Sequence, residues 1–240
     1  MRVLVTAGGT EEPIDGVRRL TNISTGATGA AIAGHFAARG AEVMLLHAAR
    51  AALGDQACER EPFTTFEDLE VALRRLLAAR AFDVVVHAAA VGDWAVAAVE
   101  LDGKAWDHRA RGKLEGGREL VLRLRPNPKL IDSLRSWSAN PALTVVGFKL
   151  TDEPDRGARS EKARALLARA AAAHVVHHAL ADTPGSRHRA TRKRHIPRGQ
   201  PRPRRSGPRH TAPQSFAPWP CPRYWRREGS LHRVPAPSAI

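Results

Sequence analysis

Apolar residues along the chain fall into two alternating patterns. Short, nearly unbroken apolar runs recur at residues 3–5, 41–46, 82–91, 120–124, 144–148 and 175–176. Runs of that length suit strands of a parallel sheet that is covered on both faces. Between several of them lie longer stretches whose apolar residues return every three or four positions, predicting helices over 30–38, 66–80, 129–137 and 159–173. In the second of these, Phe66, Leu69, Leu73, Leu76 and Leu77 form one stripe, the signature of a core-facing helix. Strands alternating with helices predict an α/β fold: a doubly wound, mostly parallel, Rossmann-like sheet with helices on both faces.

The pattern stops near Arg187. Ten of the 17 prolines and the only tyrosine, Tyr224, lie beyond that point. The chain carries a net charge of +14, but residues 187–240 hold 14 Lys and Arg against the single acid Glu228. The first 186 residues hold 24 basic and 23 acidic side chains and are nearly neutral. The sequence therefore divides into a folded domain over 1–186 and an Arg/Pro-rich tail over 187–240. The tail cannot bury enough apolar surface to offset its ordering entropy and is expected to be disordered. An abrupt loss of acids with a surge of Arg and Pro is also what an out-of-frame reading of a GC-rich gene would produce. Two cysteines, Cys58 and Cys221, make no disulfide framework. No apolar run approaches the length of a membrane span, and residues 1–4 lead into a strand rather than a signal peptide. A cytoplasmic protein without a membrane partner is expected.

Candidate chemistry concentrates in the segment 7–29, between the first strand and the first helix. It holds two clusters of small residues, Gly8-Gly9-Thr10 and Ser24-Thr25-Gly26, with Asn22 between them. Glycines let backbone N–H groups approach an anion, and a helix N-terminus adds favourable partial charge. The dinucleotide fingerprint G-x-G-x-x-G requires a short turn directly after the strand. Here Glu11-Glu12-Pro13 follows the first cluster and the second comes some fifteen residues later, so the spacing does not suit a dinucleotide. The apolar run 82–91 ends in Gly92-Asp93-Trp94, which places a carboxylate beyond the carboxyl end of a predicted strand, where open parallel sheets bind ligands.

Several blocks in order resemble the phosphopantothenoylcysteine synthetase family, of the stand-alone type. They are Thr6-Ala7-Gly8-Gly9-Thr10, Pro13-Ile14-Asp15 with Val17-Arg18, Thr21-Asn22-Ile23-Ser24-Thr25-Gly26, Ala90-Val91-Gly92-Asp93-Trp94, Gly112-Lys113-Leu114, Asn127-Pro128-Lys129-Leu130 and Gly147-Phe148-Lys149-Leu150. The resemblance extends to His188-Arg189-Ala190-Thr191. It implies a ligase of coenzyme A biosynthesis that joins 4′-phosphopantothenate to cysteine. The carboxylate is first activated by CTP or ATP as an acyl-nucleotide, and the cysteine amine then displaces the nucleotide monophosphate. Carried over residue by residue, the resemblance gives Asn22 and Lys113 catalytic roles, on the acyl-nucleotide and on the triphosphate. Asp93, Lys113, Asn127, Pro128, Lys129, Leu130, Phe148 and Lys162 become nucleotide contacts. Gly8, Gly9, Thr10, Asn22, Ser24, Thr25 and Gly26 become phosphopantothenate contacts. Magnesium is implied as the companion of the nucleotide, held by substrate and water with no protein metal ligands, and a homodimer is implied as the assembly.

The chain departs from the family pattern in two places. The last core strand ends His177-His178-Ala179 where the family has Asn-Asp, and the family's closing strand and helix are not recognisable in the tail. Two other function classes compete. An NAD(P)-binding Rossmann oxidoreductase of the short-chain type would need a Tyr four residues before a Lys, and Tyr224 lies in the tail. Nucleic-acid binding through the tail would use Phe216, Trp219, Tyr224 and Trp225 interleaved with arginines, if the tail is genuine. The enzyme reading is preferred, because the body carries an articulated site and the tail carries only composition.

Overall fold

The computed structural model describes residues 1–55, 57–107, 112–179 and 231–233. Its main sheet is built from β1 (Arg2–Ala7), β4 (Glu42–Ala48), β5 (Glu59–Phe63), β6 (Val84–His87), β10 (Thr144–Thr151), β11 (His174–Ala179) and β12 (Leu231–Arg233), in the order β12-β11-β10-β6-β1-β4-β5. The first six of these pair in parallel, and β12 is antiparallel to β11 at the edge. The expected mostly parallel Rossmann-like sheet is thus present. Apart from residues 231–233, the tail assigned to 187–240 lies outside the described residues.

Helix α1 (Ala27–Ala37) covers one face, where Val3, Val5, Val43, Leu45 and Val86 are buried. The other face carries Leu4, Leu46, Val85, Val145 and Val175, packed under α2 (Phe66–Ala79), α3 (Leu134–Trp137) and α4 (Arg156–Arg169). The stripe read from the sequence is the buried face of α2, and its N-terminus carries a complete capping box, with Asp68 N–H donating to Thr65 Oγ1 and Thr65 N–H to Asp68. α4 begins earlier than expected, at Arg156, because Asp155 caps it by accepting the Ala158 N–H at 2.8 Å.

Three expectations need correction. The apolar run 82–91 is a strand only over Val84–His87; from Ala88 the chain leaves the sheet, and Ala90 bonds Gly8 and Thr10 through their backbones. The helix expected over 129–137 is a 3-10 turn, Leu130–Asp132, followed by the single turn α3, although Leu130, Ile131 and Leu134 are all buried. Residues 94–106, to which the hydrophobic pattern assigns no element, form β7 (Trp94–Leu101) and β8 (Lys104–Trp106). Together with β9 (Leu120–Pro126) these form a separate antiparallel sheet, so residues 120–124 do not join the main one. Asp102 and Gly103 both have positive φ, 49° and 72°, the conformation a tight two-residue hairpin requires. Val96, Val99 and Leu101 then pack on Ile14 and Leu114, which docks this small sheet beside the segment 11–21. That segment itself folds as the hairpin β2 (Glu11–Pro13) and β3 (Arg19–Thr21).

Candidate active site

Strand order places β1 and β6 at the point where the crossovers run in opposite directions, β1 toward β4 and β6 toward β10. A crevice opens there, beyond the carboxyl ends of the strands. Here it is a cavity of about 770 Å³, within the range of small-molecule sites.

The two small-residue clusters meet here, Ser24-Thr25-Gly26 on the wall and Gly8-Gly9-Thr10 behind it. Gly8 has φ +89° and Gly26 φ +75°, and a Cβ on Gly26 would lie 3.2 Å from the Gly8 backbone N and 2.8 Å from Ala51 Cβ. A Cβ on Gly29 would lie 2.6 Å from Ala7 Cβ, so the first turn of α1 rests directly on the end of β1. Glycine at these positions lets the chain double back. α1 starts without a side-chain cap and without an acid in its first turn. Its first-turn N–H groups, of which Ala27 N–H donates to Thr25 Oγ1 at 3.4 Å, and the positive end of its dipole border the cavity beside Ser24 and Thr25.

The segment Ala90–Asp93 runs through the site and is held from four directions. Ala90 N–H donates to Gly8 O at 2.8 Å, and Gly92 N–H donates to the buried Thr10 Oγ1 at 2.9 Å. Asn22 Nδ2 donates to Val91 O at 3.1 Å, and Asn127 Nδ2 to Gly92 O at 3.0 Å. Asp93 forms an ion pair with Lys129 at the rim. Residues read as phosphopantothenate contacts and residues read as nucleotide contacts thus grip one strip of backbone.

Of the residues singled out from the sequence, the cavity wall contains Asn22, Ser24, Thr25, Gly26, Asp93, Pro128, Lys129, Leu130 and Phe148. Gly8, Gly9, Thr10 and Asn127 stand behind it as supports. A Cβ on Gly9 would lie 2.6 Å from Asn22 O, so Gly9 lets Asn22 approach. Two residues are not brought in. Lys162 lies off the wall and pairs with Glu153 at 3.0 Å, while Arg169, two turns further along α4, lines the cavity and pairs with Asp132. Lys113 is exposed in the loop before β9 and does not line the cavity of its own chain.

The Lys113 loop is fixed by Asp15. Its buried carboxylate accepts N–H bonds from Val17 at 2.8 Å, Arg18 at 2.6 Å and Leu114 at 3.0 Å, and it pairs with the Arg18 guanidinium. Burial alone would raise the pKa of this carboxyl. The three N–H donors and the Arg18 charge outweigh it and hold the group well below the ordinary carboxylate range.

His87, Lys149 and His178 also line the cavity and were not read as site residues from the sequence. His178 sits edge-on to Phe148, ring centroids 5.9 Å apart, and burial together with the neighbouring His177 lowers its pKa. In the sequence, His178 stands out only as a departure from the family pattern. His87 sits inside an apolar run, where nothing local separates it from the core.

Residues 1–193 match the family described as the DNA/pantothenate metabolism flavoprotein C-terminal domain. The coenzyme A biosynthesis bifunctional protein CoaBC of Thermococcus kodakarensis is 38% identical over 148 residues, which is 62% of this chain and 34% of that protein. The chain thus spans about a third of the length of this curated relative. Among solved structures, the DNA/pantothenate metabolism flavoprotein from Streptococcus pneumoniae superposes with a TM-score of 0.67 at 28% identity, covering 77% of this chain and 85% of that one. The C-terminal domain of a CoaBC protein superposes with a TM-score of 0.56 at 26% identity, covering 73% and 76%.

Proposed function

Because this chain belongs to the DNA/pantothenate metabolism flavoprotein C-terminal domain family, we propose that it is a phosphopantothenate–cysteine ligase working through an acyl-nucleotide. The observation that carries this reading is the strip Ala90–Asp93, gripped on one side by Asn22 and Thr10 and on the other by Asn127. A two-substrate condensation needs that arrangement: one rigid wall shared by an anion-attracting helix terminus and a second subsite built from Pro128–Leu130 and Phe148.

The substrate phosphate is held over the N-terminus of α1, by Ser24, Thr25 and the first-turn N–H groups. The nucleotide lies against Asp93, residues 128–130 and Phe148, whose ring offers a stacking surface. One carboxylate oxygen of phosphopantothenate attacks the α-phosphorus, and the bond to pyrophosphate breaks. The cysteine amine then attacks the acyl carbon, nucleotide monophosphate leaves with the electron pair, and the amine proton is lost to solvent. Asn22 binds the acyl oxygen where negative charge develops, and Lys113 offsets charge on the attacked phosphorus. Among the described residues there is no cluster of three or more potential metal ligands. Magnesium enters as part of the nucleotide substrate, held by phosphate oxygens and water.

The homodimer belongs to the same proposal. Trp94, Leu120, Val121 and Leu124 of the small sheet are exposed apolar residues, and β9 is an edge strand. No helix among the described residues is long and apolar enough to cross a membrane, and we assign the enzyme to the cytoplasm with the rest of coenzyme A synthesis. The decisive assay is pyrophosphate release with phosphopantothenate, comparing CTP with ATP, with and without cysteine. Release before cysteine is added supports the acyl-nucleotide; no release with either nucleotide overturns the reading.

A further inference from the structure

Two polar side chains meet at the switch point of the sheet. His87 ends β6 and is 7% exposed, and Thr6, next to last in the neighbouring strand β1, is fully buried. Their side chains meet, with Thr6 Oγ1 3.1 Å from His87 Nδ1. Thr6 Oγ1 also accepts the Ala89 N–H at 3.0 Å. Its own proton is buried and needs an acceptor, and among the described residues His87 Nδ1, at 3.1 Å, is the acceptor within reach. The hydroxyl therefore donates to Nδ1, the imidazole proton sits on Nε2, and this N–H is what His87 presents to the cavity it lines. Burial lowers the His87 pKa to about 4, so the ring is a neutral donor at physiological pH.

The neighbouring strand supplies a charge beside it. His87 is in register with Gly147 of β10, and alternation along that strand puts Lys149 on the same face, about 6.6 Å further on. Three cationic side chains line the cavity: Lys129 is tied to Asp93 and Arg169 to Asp132, whereas Lys149 has no ion-pair partner among the described residues. A neutral N–H donor and an unpaired ammonium on one face of a switch-point crevice match a chain of phosphate oxygens. Neither residue belongs to the hydrophobic clusters on the two faces of the sheet, and both line the cavity.

We propose that His87 Nε2–H and Lys149 form a phosphate subsite for the nucleotide, with His87 setting its affinity and Thr6 fixing the tautomer that makes it a donor. This rests on the ligase reading above, so the test measures binding without turnover. Calorimetric titration of the full chain with CTP and with ATP, magnesium chloride present, is compared for wild type, His87→Leu and His87→Gln. Losing one hydrogen bond to a charged acceptor weakens binding about tenfold or more. His87→Leu should show that loss for the preferred nucleotide, and His87→Gln, whose amide N–H reaches a similar position, should recover most of it. Phosphopantothenate affinity should stay within about twofold in both, far below a tenfold step, and thermal unfolding reports whether each variant is folded. Lys149→Met, on the surface of the same wall, keeps the test alive if both His87 variants fail to fold; it should weaken the triphosphate but leave phosphopantothenate unchanged. Wild type that binds a nucleotide while His87→Leu and Lys149→Met bind it equally well overturns the subsite alone. Wild type that binds neither nucleotide overturns the ligase reading and the subsite together.

Discussion

The carboxylate of Asp15 accepts the backbone N–H of Leu114, 99 residues further along the chain, at 3.0 Å. A second bond, from Gly16 N–H to Gly112 O at 2.6 Å, runs beside it. The two anchor the loop that carries Lys113 to the first loop of the domain. Lys113 is therefore exposed but not adrift: its position is set by a buried acid in the segment that also leads to Asn22.

Asp15→Asn should destabilise the domain by about 2 kcal/mol, since amide nitrogen replaces an oxygen that accepts N–H bonds and pairs with Arg18. The pH dependence has a definite sign. The folded pKa lies below the unfolded one, so the stabilisation from Asp15 is fully present above the ordinary carboxylate pKa of about 3.9. It is lost as pH falls from there through the folded value. Wild type should lose stability below about pH 4 more steeply than the Asn variant. Thermal melts between neutral pH and pH 3 check this; parallel curves would mean that Asp15 contributes no ionised-state stabilisation.

Asn22→Ala should lower kcat about a hundredfold or more, the usual scale for removing a donor to a developing oxyanion. Asn22 is exposed and its side chain makes one bond, to Val91 O. The melting temperature should therefore drop only slightly. A variant that melts far below wild type would make Asn22 a structural tie of the 90–93 strip rather than a participant in the reaction.

How much of this was legible in the sequence depended on the distance over which each signal acts. The α2 stripe is local, one helix reporting its own buried face, and Phe66 to Leu77 came through intact. The glycine clusters were legible as backbone chemistry, because left-handed φ at Gly8 and Gly26 is a property of the residue type. The hairpin at Asp102-Gly103 also had a local signal, but the alternation of Val96, Val99 and Leu101 is broken by a bulge between Val96 and Ala98, which blurs the period of two. His87 had no local signal at all. Its identity as a site residue comes from Thr6, 81 positions earlier, and from the register with Gly147. Lys162 and Arg169 lie two turns apart on one face of α4, and only the placement of α4 along the sheet decides which one reaches the cavity.

Gly26→Ala should raise the KM for phosphopantothenate and cost about 2 kcal/mol of stability, as its φ of +75° is unfavourable for alanine and the new methyl would lie 2.8 Å from Ala51 Cβ. Gly40→Ala is the control. Gly40 has φ +78° with nothing within 4 Å of the added methyl, and it follows the far end of α1. It should cost about 1 kcal/mol with KM unchanged. If both variants change KM alike, the effect of Gly26 is loss of stability and not of loop geometry.

The last prediction follows from the position of Lys113 outside the cavity of its own chain. If the proposed dimer is right and this loop reaches a neighbouring chain, the Lys113 of one protomer completes the site that contains the Asn22 of the other. Asn22→Ala and Lys113→Gln homodimers would then each be inactive. A mixed dimer would pair an intact Asn22 with an intact Lys113 in one of its two sites. Unfolding and refolding an equimolar mixture should restore about a quarter of wild-type activity, because half the dimers are mixed and each has one complete site. Should Lys113 serve its own chain instead, every mixed dimer would contain one damaged residue in each site. The refolded mixture would stay as inactive as its parts, with size-exclusion chromatography and light scattering confirming that dimers had formed.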